Sequence, residues 1–188
     1  INWLFESATA GIILEDDCLP HPDFFVFCET LLDYYRDNDR IMNIAGSNFQ
    51  YGRKRGKGSY YFSIYPLVWG WATWKRAWKH FDFDLYRASA EFKRTTWDER
   101  WLVLVRNNGG LSISPNVNLV SNIGSRPDAT HTTRVNKLAN LPTQSLTFPL
   151  VHPKKISPDR AADIYTLYNR LWFRTTEYKI LSRMANLI

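Results

Sequence analysis

The sequence predicts an α/β fold in which helices flank a mainly parallel sheet. Through the first half of the chain, short apolar segments typical of buried strands alternate with segments whose apolar residues repeat at helical spacing. The 188 residues include 45% apolar side chains, which is enough to bury a core. We expect a main body over residues 1–150 and a helical extension over residues 151–188.

The first elements are a short helix, a buried strand, a second helix and a second strand. Helical spacing is already present over residues 1–8, and the chain does not begin with Met, so we expect it to be part of a longer protein. The apolar residues 10–14 predict a buried strand. Pro22 suits the first position of a helix that extends to Tyr35, and residues 41–45 predict the next strand.

The remaining sequence predicts alternating loops, strands and helices from its glycines, prolines and apolar spacing. In order, these are a basic, glycine-rich loop over 52–58, a strand over 60–65, a tryptophan-rich helix over 70–81, a helix over 96–106, a strand over 111–120, a polar loop over 121–146 and a long helix from about Pro158.

The composition favours anionic partners and an intracellular location. A net charge of +6 and a pI of about 9.4 would attract a nucleotide diphosphate, an acidic glycan, nucleic acid or an anionic membrane surface. Two cysteines and no Asn-x-Ser/Thr sequence favour a reducing compartment. No apolar run approaches the roughly 20 residues that cross a bilayer. We therefore expect a cytoplasmic protein that contacts membranes only peripherally.

Three consecutive carboxylates, Glu15, Asp16 and Asp17, follow the first predicted strand. In an open α/β sheet, ligands bind in the crevice beyond the carboxyl ends of the strands. Carboxylate oxygens there can hold Mn²⁺ or Mg²⁺, and such an ion neutralises charge that develops on a leaving nucleotide diphosphate. The alternative is a solvated acidic turn without a ligand.

Three segments of the chain carry a family resemblance. Residues 11–25 read GIILEDDCLPHPDFF, residues 65–74 read YPLVWGWATW, and residues 118–124, NLVSNIG, are followed by ATHT at 129–132. In this order they resemble the metal-site, acceptor-side and late-loop segments of GT-A glycosyltransferases, particularly bacterial relatives of N-acetylglucosaminyltransferase I. The resemblance covers most of residues 1–132.

The resemblance implies a GT-A-like fold and an enzyme that moves a sugar from a nucleotide-diphosphate sugar to a glycan or lipid-linked acceptor. Transfer would be metal-assisted and inverting, at the cytoplasmic side of the inner membrane and in polysaccharide assembly. In this family the nucleotide is held largely by strand and helix units that precede the acidic triplet. We therefore expect such units to precede Ile1.

The resemblance also implies roles for single residues. Asp17 would be the direct ligand of Mn²⁺ or Mg²⁺, while Glu15 and Asp16 would orient the donor's ribose, its sugar or metal-bound water. His131 would be a further contact to the metal or the diphosphate. The carboxylate that the family usually has after its second strand is replaced here by Ser47.

An inverting transfer requires a base that takes the proton of the acceptor hydroxyl. Asp98 and Glu99 are the candidates in the sequence. Thr96 and Glu99 have the spacing of a capping box, which would turn the Glu99 side chain back to the first amides of the helix. Asp98 is therefore the predicted base, with simple stabilisation of the helix dipole as the alternative.

Trp69, Gly70 and Trp71 are the predicted acceptor-binding residues. On the predicted helix, Trp71, Trp74 and Trp78 share one face, which favours the core for that face. Trp69, and to a lesser degree Trp71, lie next to the flexible Gly70 and are the candidates for stacking on a sugar ring.

Two other functions fit parts of the sequence. A carbohydrate-binding module or degenerate transferase would recognise glycan through Trp69 and Trp71 without turnover. A nucleic-acid binder would use the basic loop beside Tyr60 and Tyr61, although we expect no nucleic-acid partner. The loop cations could grip a phosphate or be merely solvated; they are Arg53, Lys54, Arg55 and Lys57.

Overall fold

The computed structural model describes residues 1–81, 96–124 and 138–171. In these ranges it contains five helices and seven strands. The helices are α1 (Leu4–Ser7), α2 (Asp23–Tyr34), α3 (Lys75–Trp78), α4 (Trp97–Asn107) and α5 (Arg160–Leu171). The strands are β1 (Ala10–Ile13), β2 (Cys18–Pro20), β3 (Ile41–Ala45), β4 (Tyr60–Ser63), β5 (Trp71–Trp74), β6 (Leu111–Pro115) and β7 (Val120–Asn122).

The described strands form a mixed five-stranded sheet in the order β1-β5-β3-β6-β4, and β2 pairs with β7 separately. The prediction of an α/β protein is confirmed, but the prediction of a mainly parallel sheet is not. Only β3 and β6 are parallel, and the other three pairings in the sheet are antiparallel. None of these antiparallel neighbours follow one another directly along the chain, so the pairing of strands that are distant in sequence determines the character of the sheet.

The predicted tryptophan-rich helix over residues 70–81 is wrong. Trp71–Trp74 form strand β5 between β1 and β3, and only Lys75–Trp78 are helical. The side chains of β5 alternate as a strand requires. Ala72 and Trp74 pack in one hydrophobic cluster with α2, whereas Trp71 packs in a second cluster on the other face.

Most of the other predicted elements lie close to their predicted positions, but strand β2 (Cys18–Pro20) was not predicted. Strands β1 and β3 and helices α2 and α4 are confirmed within one or two residues at each end. The single strand predicted over residues 111–120 is instead two strands, β6 and β7. Asn116 and Asn118 separate them, and their side-chain amides bond to neighbouring loop carbonyls.

Several loops meet at one edge of the sheet, which we call the carboxyl edge. The strands β1, β3 and β6 run in the same direction and end there, while β4 and β5 begin there. Backbone hydrogen bonds tie these loops together: Gly46 N donates to Gly70 O at 2.7 Å, and Leu119 N donates to Gly46 O at 2.9 Å. The acidic triplet, at the end of β1, therefore faces loops from distant parts of the sequence.

Helix α5 is attached to β4 by a buried carboxylate. Asp163 accepts hydrogen bonds from Ser63 Oγ at 2.6 Å and from Ile64 N at 3.3 Å. Burial raises the pKa of Asp163 to about 6, although these two hydrogen bonds oppose the shift. The extension predicted from residue 151 thus packs on the sheet over its described part, and the boundary at residue 150 stays a prediction.

The raised pKa of Asp163 predicts a pH-dependent stability. A carboxyl group whose folded pKa exceeds its unfolded value contributes stability that is complete below about pH 4 and is lost as the pH rises through about 6. Relative to Asp163→Asn, the wild type should lose up to about 3 kcal/mol of unfolding free energy between these limits. Urea unfolding across this pH range measures the difference, and a pH-independent difference would contradict the prediction.

In the part of the chain that the structure describes, no helix combines the length and the hydrophobicity that a bilayer crossing needs. The end of the predicted long helix, over residues 172–188, lies outside the described ranges.

Candidate metal and acceptor site

The acidic triplet forms a tight loop between β1 and β2. Cys18 N donates to Glu15 O at 3.1 Å, which closes the turn, and Ile123 N donates to Asp17 O at 2.8 Å. One ligand atom from each of Glu15, Asp17 and Cys18 lies within 4.8 Å of the others. The loop therefore brings two carboxylates and a thiol together at the carboxyl edge.

The carboxylates of this loop repel one another. Burial is the largest cause that raises the pKa of Glu15, followed by the charges of Asp17, Asp98 and Asp16. Within the described ranges, the ion pairs all involve other carboxylates. The loop thus concentrates negative charge, which favours the binding of a cation.

The donor atoms suit a hard divalent cation. Mn²⁺ and Mg²⁺ prefer oxygen ligands, which Glu15 and Asp17 provide from half-buried positions. Burial is the main cause that raises the pKa of the Cys18 thiol to about 11, so Cys18 is protonated at neutral pH and is the weakest of the three candidates. Asp16 is exposed.

Gly124 is a site residue that sequence reasoning did not single out. A Cβ atom at this position would lie 2.2 Å from Asp17 Oδ2, so only glycine leaves room for the carboxylate. The pairing of β2 with β7 produces this contact. The available signal was that Gly124 is the last residue of a segment with family resemblance, but its role depends on the pairing of distant strands.

Gly124→Ala should weaken metal binding with little effect on the rest of the fold. The added methyl group would displace the Asp17 carboxylate, which is the predicted metal ligand. We expect the affinity for Mn²⁺ to fall by about tenfold to 100-fold, the range typical of perturbed ligand orientation. Calorimetric titration measures this change, and unchanged affinity in a folded variant would contradict the prediction.

Asp98 and Glu99 lie at the start of α4 and differ in their contacts. The predicted capping box is confirmed: Glu99 Oε2 accepts a hydrogen bond from Thr96 N at 3.1 Å. Asp98 Oδ1 accepts a hydrogen bond from the Thr96 hydroxyl. The charge of Asp98 also contributes to raising the pKa of Glu15, so the two carboxylates lie near each other. The structure therefore places the predicted base beside the acidic loop and gives Glu99 a structural role.

The predicted stacking role of Trp71 does not fit the structure. Its ring is 0% exposed, because β5 directs it into an aromatic cluster with Trp78 and Trp101. The ring also stacks on Trp97, which immediately precedes Asp98. Trp71 thus supports the position of α4 rather than a sugar.

Trp69 and Gly70 remain at the carboxyl edge. Trp69 is partly exposed, and its ring meets Phe49 edge to face at 5.3 Å. Gly70 has a left-handed backbone with a φ of 62°, and a Cβ there would press against Val120 and Leu14. The acceptor-side segment therefore reaches the residue that precedes the acidic triplet.

Other predicted residues are placed as follows. His131 lies outside the described residues. Ser47 is buried, and its hydroxyl has no hydrogen-bond partner among the described residues. Tyr60 and Tyr61 are both buried, so their rings are not available to stack on nucleic-acid bases.

Comparison with other proteins provides no assignment for this geometry. No protein-family model matches the chain, and no curated protein matches it either. We therefore infer the function from the arrangement of the site.

Proposed function

We propose that this chain is a nucleotide-sugar-dependent glycosyltransferase with a GT-A-like fold and a Mn²⁺ or Mg²⁺ ion held by Asp17 and Glu15. The observation that carries the proposal is the meeting of four separate segments at the carboxyl edge. These are the acidic triplet, the Trp69–Gly70 turn, the start of α4 and the loop that ends at Gly124. All three segments with family resemblance contribute to this group.

The chemistry assigns a role to each side chain. A divalent ion at this site would supply positive charge opposite a departing diphosphate. Asp17 would hold the ion together with Glu15, which the geometry favours as a metal ligand over the donor-orienting role that the resemblance implies, and Asp16 would orient the donor. Asp98 accepts the proton of the acceptor hydroxyl. At the same time, the hydroxyl oxygen forms a bond to the anomeric carbon of the donor sugar, and the bond between that carbon and the nucleotide diphosphate breaks. Trp69, which is partly exposed, would stack on an acceptor sugar.

The described structure weakens the two competing functions. A glycan-binding module based on Trp69 and Trp71 would retain only Trp69, since Trp71 is buried. A nucleic-acid binder could not stack bases on Tyr60 and Tyr61, because both rings are buried in the core. A glycosyltransferase would also fit the cytoplasmic location that the sequence predicts, because it would use nucleotide sugars there as donors.

A titration of the protein with several nucleotide sugars, with and without Mn²⁺, tests the proposal. We expect one donor to bind only with the metal and to release its nucleotide diphosphate when a glycan or lipid-linked acceptor is added. Glycan binding that persists in EDTA, without turnover of any nucleotide sugar, would instead support the binding module.

A further inference from the structure

The basic loop that follows β3 has a defined position. Arg55 N donates to Asn116 Oδ1 at 2.7 Å, and Asn116 Nδ2 donates to the carbonyls of Arg55 and Gly58, both at 2.8 Å. Arg55 Nε donates to the buried Gln50 Oε1 at 2.8 Å. Gln50 Nε2 in turn donates to Thr166 Oγ1 of α5 at 2.8 Å. The loop is thus fixed to both the sheet and α5.

Cationic and aromatic side chains are combined where the loop meets α5. The Arg53 guanidinium lies 4.3 Å from the centroid of the Tyr165 ring, and that of Arg55 lies 5.6 Å away. Tyr51 meets the same ring edge to face at 6.5 Å. The backbone of Tyr51 is left-handed, with a φ of 51°, which is a costly conformation for tyrosine. The loop holds this conformation while the Tyr51 side chain stays 45% exposed.

The adjoining face of α5 exposes further apolar groups. Ile164 is 56% exposed and Tyr168, one turn later, is 70% exposed, whereas Ala162 and Thr166 on the other face are buried. The contact of Arg53 with the Tyr165 ring joins the loop to α5, and we call the exposed cations of the loop together with these exposed groups the basic-aromatic surface. Its members are Tyr51, Arg53, Lys54, Lys57, Ile164 and Tyr168.

We propose that the basic-aromatic surface docks this protein on an anionic lipid membrane. Cations attract the negative headgroups, while tyrosine rings and an aliphatic side chain are suited to the boundary between headgroups and acyl chains. Such docking requires no membrane-spanning helix. Base stacking of a nucleic acid fits less well, because the ring of Tyr165 is already covered by Arg53.

The surface and the acidic loop lie at opposite ends of the carboxyl edge. The acidic loop follows β1 and the basic loop precedes β4, and these are the two outer strands. Four strand spacings separate them, which corresponds to about 19 Å. The docking inference depends only on the surface and stands independently of the proposed enzymatic activity.

Vesicle cosedimentation tests the inference, with phosphatidylcholine vesicles that contain or lack phosphatidylglycerol. We expect binding only to the anionic vesicles. The double variant Lys54→Glu and Lys57→Glu should lower the partition coefficient at least about 30-fold, because each cation near the surface contributes about fivefold. Ile164→Ser should lower it by about threefold to tenfold, since it removes the aliphatic group from the interface.

A matched control is provided by Lys75 and Lys79, which are exposed and follow β5 at the opposite edge of the sheet. Lys75→Glu with Lys79→Glu changes the net charge equally and should alter the partition coefficient by less than about threefold. Equal losses in both double variants would show an effect of net charge alone and overturn the proposal. Failure to bind anionic vesicles would also overturn it, as would a preference for a single-stranded oligonucleotide that Lys54→Glu and Lys57→Glu abolish.

Discussion

Asp17→Asn is expected to reduce metal-dependent sugar transfer by at least about 100-fold. The substitution preserves the size of the side chain that lies against Gly124 but removes a full negative charge from the cluster. The loss should appear in the transfer rate at saturating donor and should be only partly restored by excess Mn²⁺. Steady-state kinetics at several metal concentrations measures both effects.

Asp39→Asn is the matched control, because Asp39 is exposed and precedes β3 at the opposite edge of the sheet. This variant should transfer sugar at the wild-type rate. If Asp17→Asn also kept the wild-type rate, the assignment of the acidic triplet as the metal site would be wrong.

Asp98→Asn is expected to lower kcat by about 100-fold to 10,000-fold, the usual contribution of a general base. The amide can keep the hydrogen bond from the Thr96 hydroxyl but cannot accept a proton from the acceptor. Donor affinity should stay close to that of the wild type, because Asp98 acts on the acceptor. Separate measurements of kcat and of donor binding distinguish these effects.

The neighbouring Glu99 gives a control on the same turn of α4. Glu99→Ala removes the capping contact to Thr96 N and should cost about 1 kcal/mol of unfolding free energy while kcat is retained. The opposite pattern, in which Glu99→Ala abolishes turnover and Asp98→Asn does not, would reverse the two assignments.

Local sequence signals predicted those elements that short-range chemistry determines. Pro22 precedes the first residue of α2, and the capping box of Thr96 and Glu99 starts α4 as expected. The apolar residues 41–45 form β3, which is buried throughout. In each case the spacing of apolar residues or a cap residue is sufficient to define the element.

Pairing between strands that are distant in sequence determined the elements that local signals did not predict. The spacing of Trp71, Trp74 and Trp78 is compatible with a helix, but hydrogen bonds to β1 and β3 make the first two part of a strand. The antiparallel character of the sheet likewise follows from which strands meet, and apolar runs do not contain that information. Burial of Trp71, and with it the loss of a predicted sugar contact, is a consequence of the same pairing.

The candidate site likewise contains residues that local sequence predicts and residues whose contacts depend on strand pairing. Its carboxylates were recognisable because they follow a predicted strand, and Asp98 was separable from Glu99 by cap spacing. The contact of Gly124 with Asp17 was not recognisable from the sequence, because it exists only once β2 and β7 pair. The burial of Tyr60 and Tyr61 also depends on the assembled core rather than on their neighbours in sequence.

The central claim is that the carboxylates beyond β1 bind a divalent cation that contacts a nucleotide diphosphate. Electron paramagnetic resonance of Mn²⁺, titrated into the wild type and into Asp17→Asn in the presence of a nucleoside diphosphate, tests it most directly. We expect one saturable bound-metal signal in the wild type and the loss of that signal in the variant. The same signal in both proteins, or no saturable binding in the wild type, would contradict it.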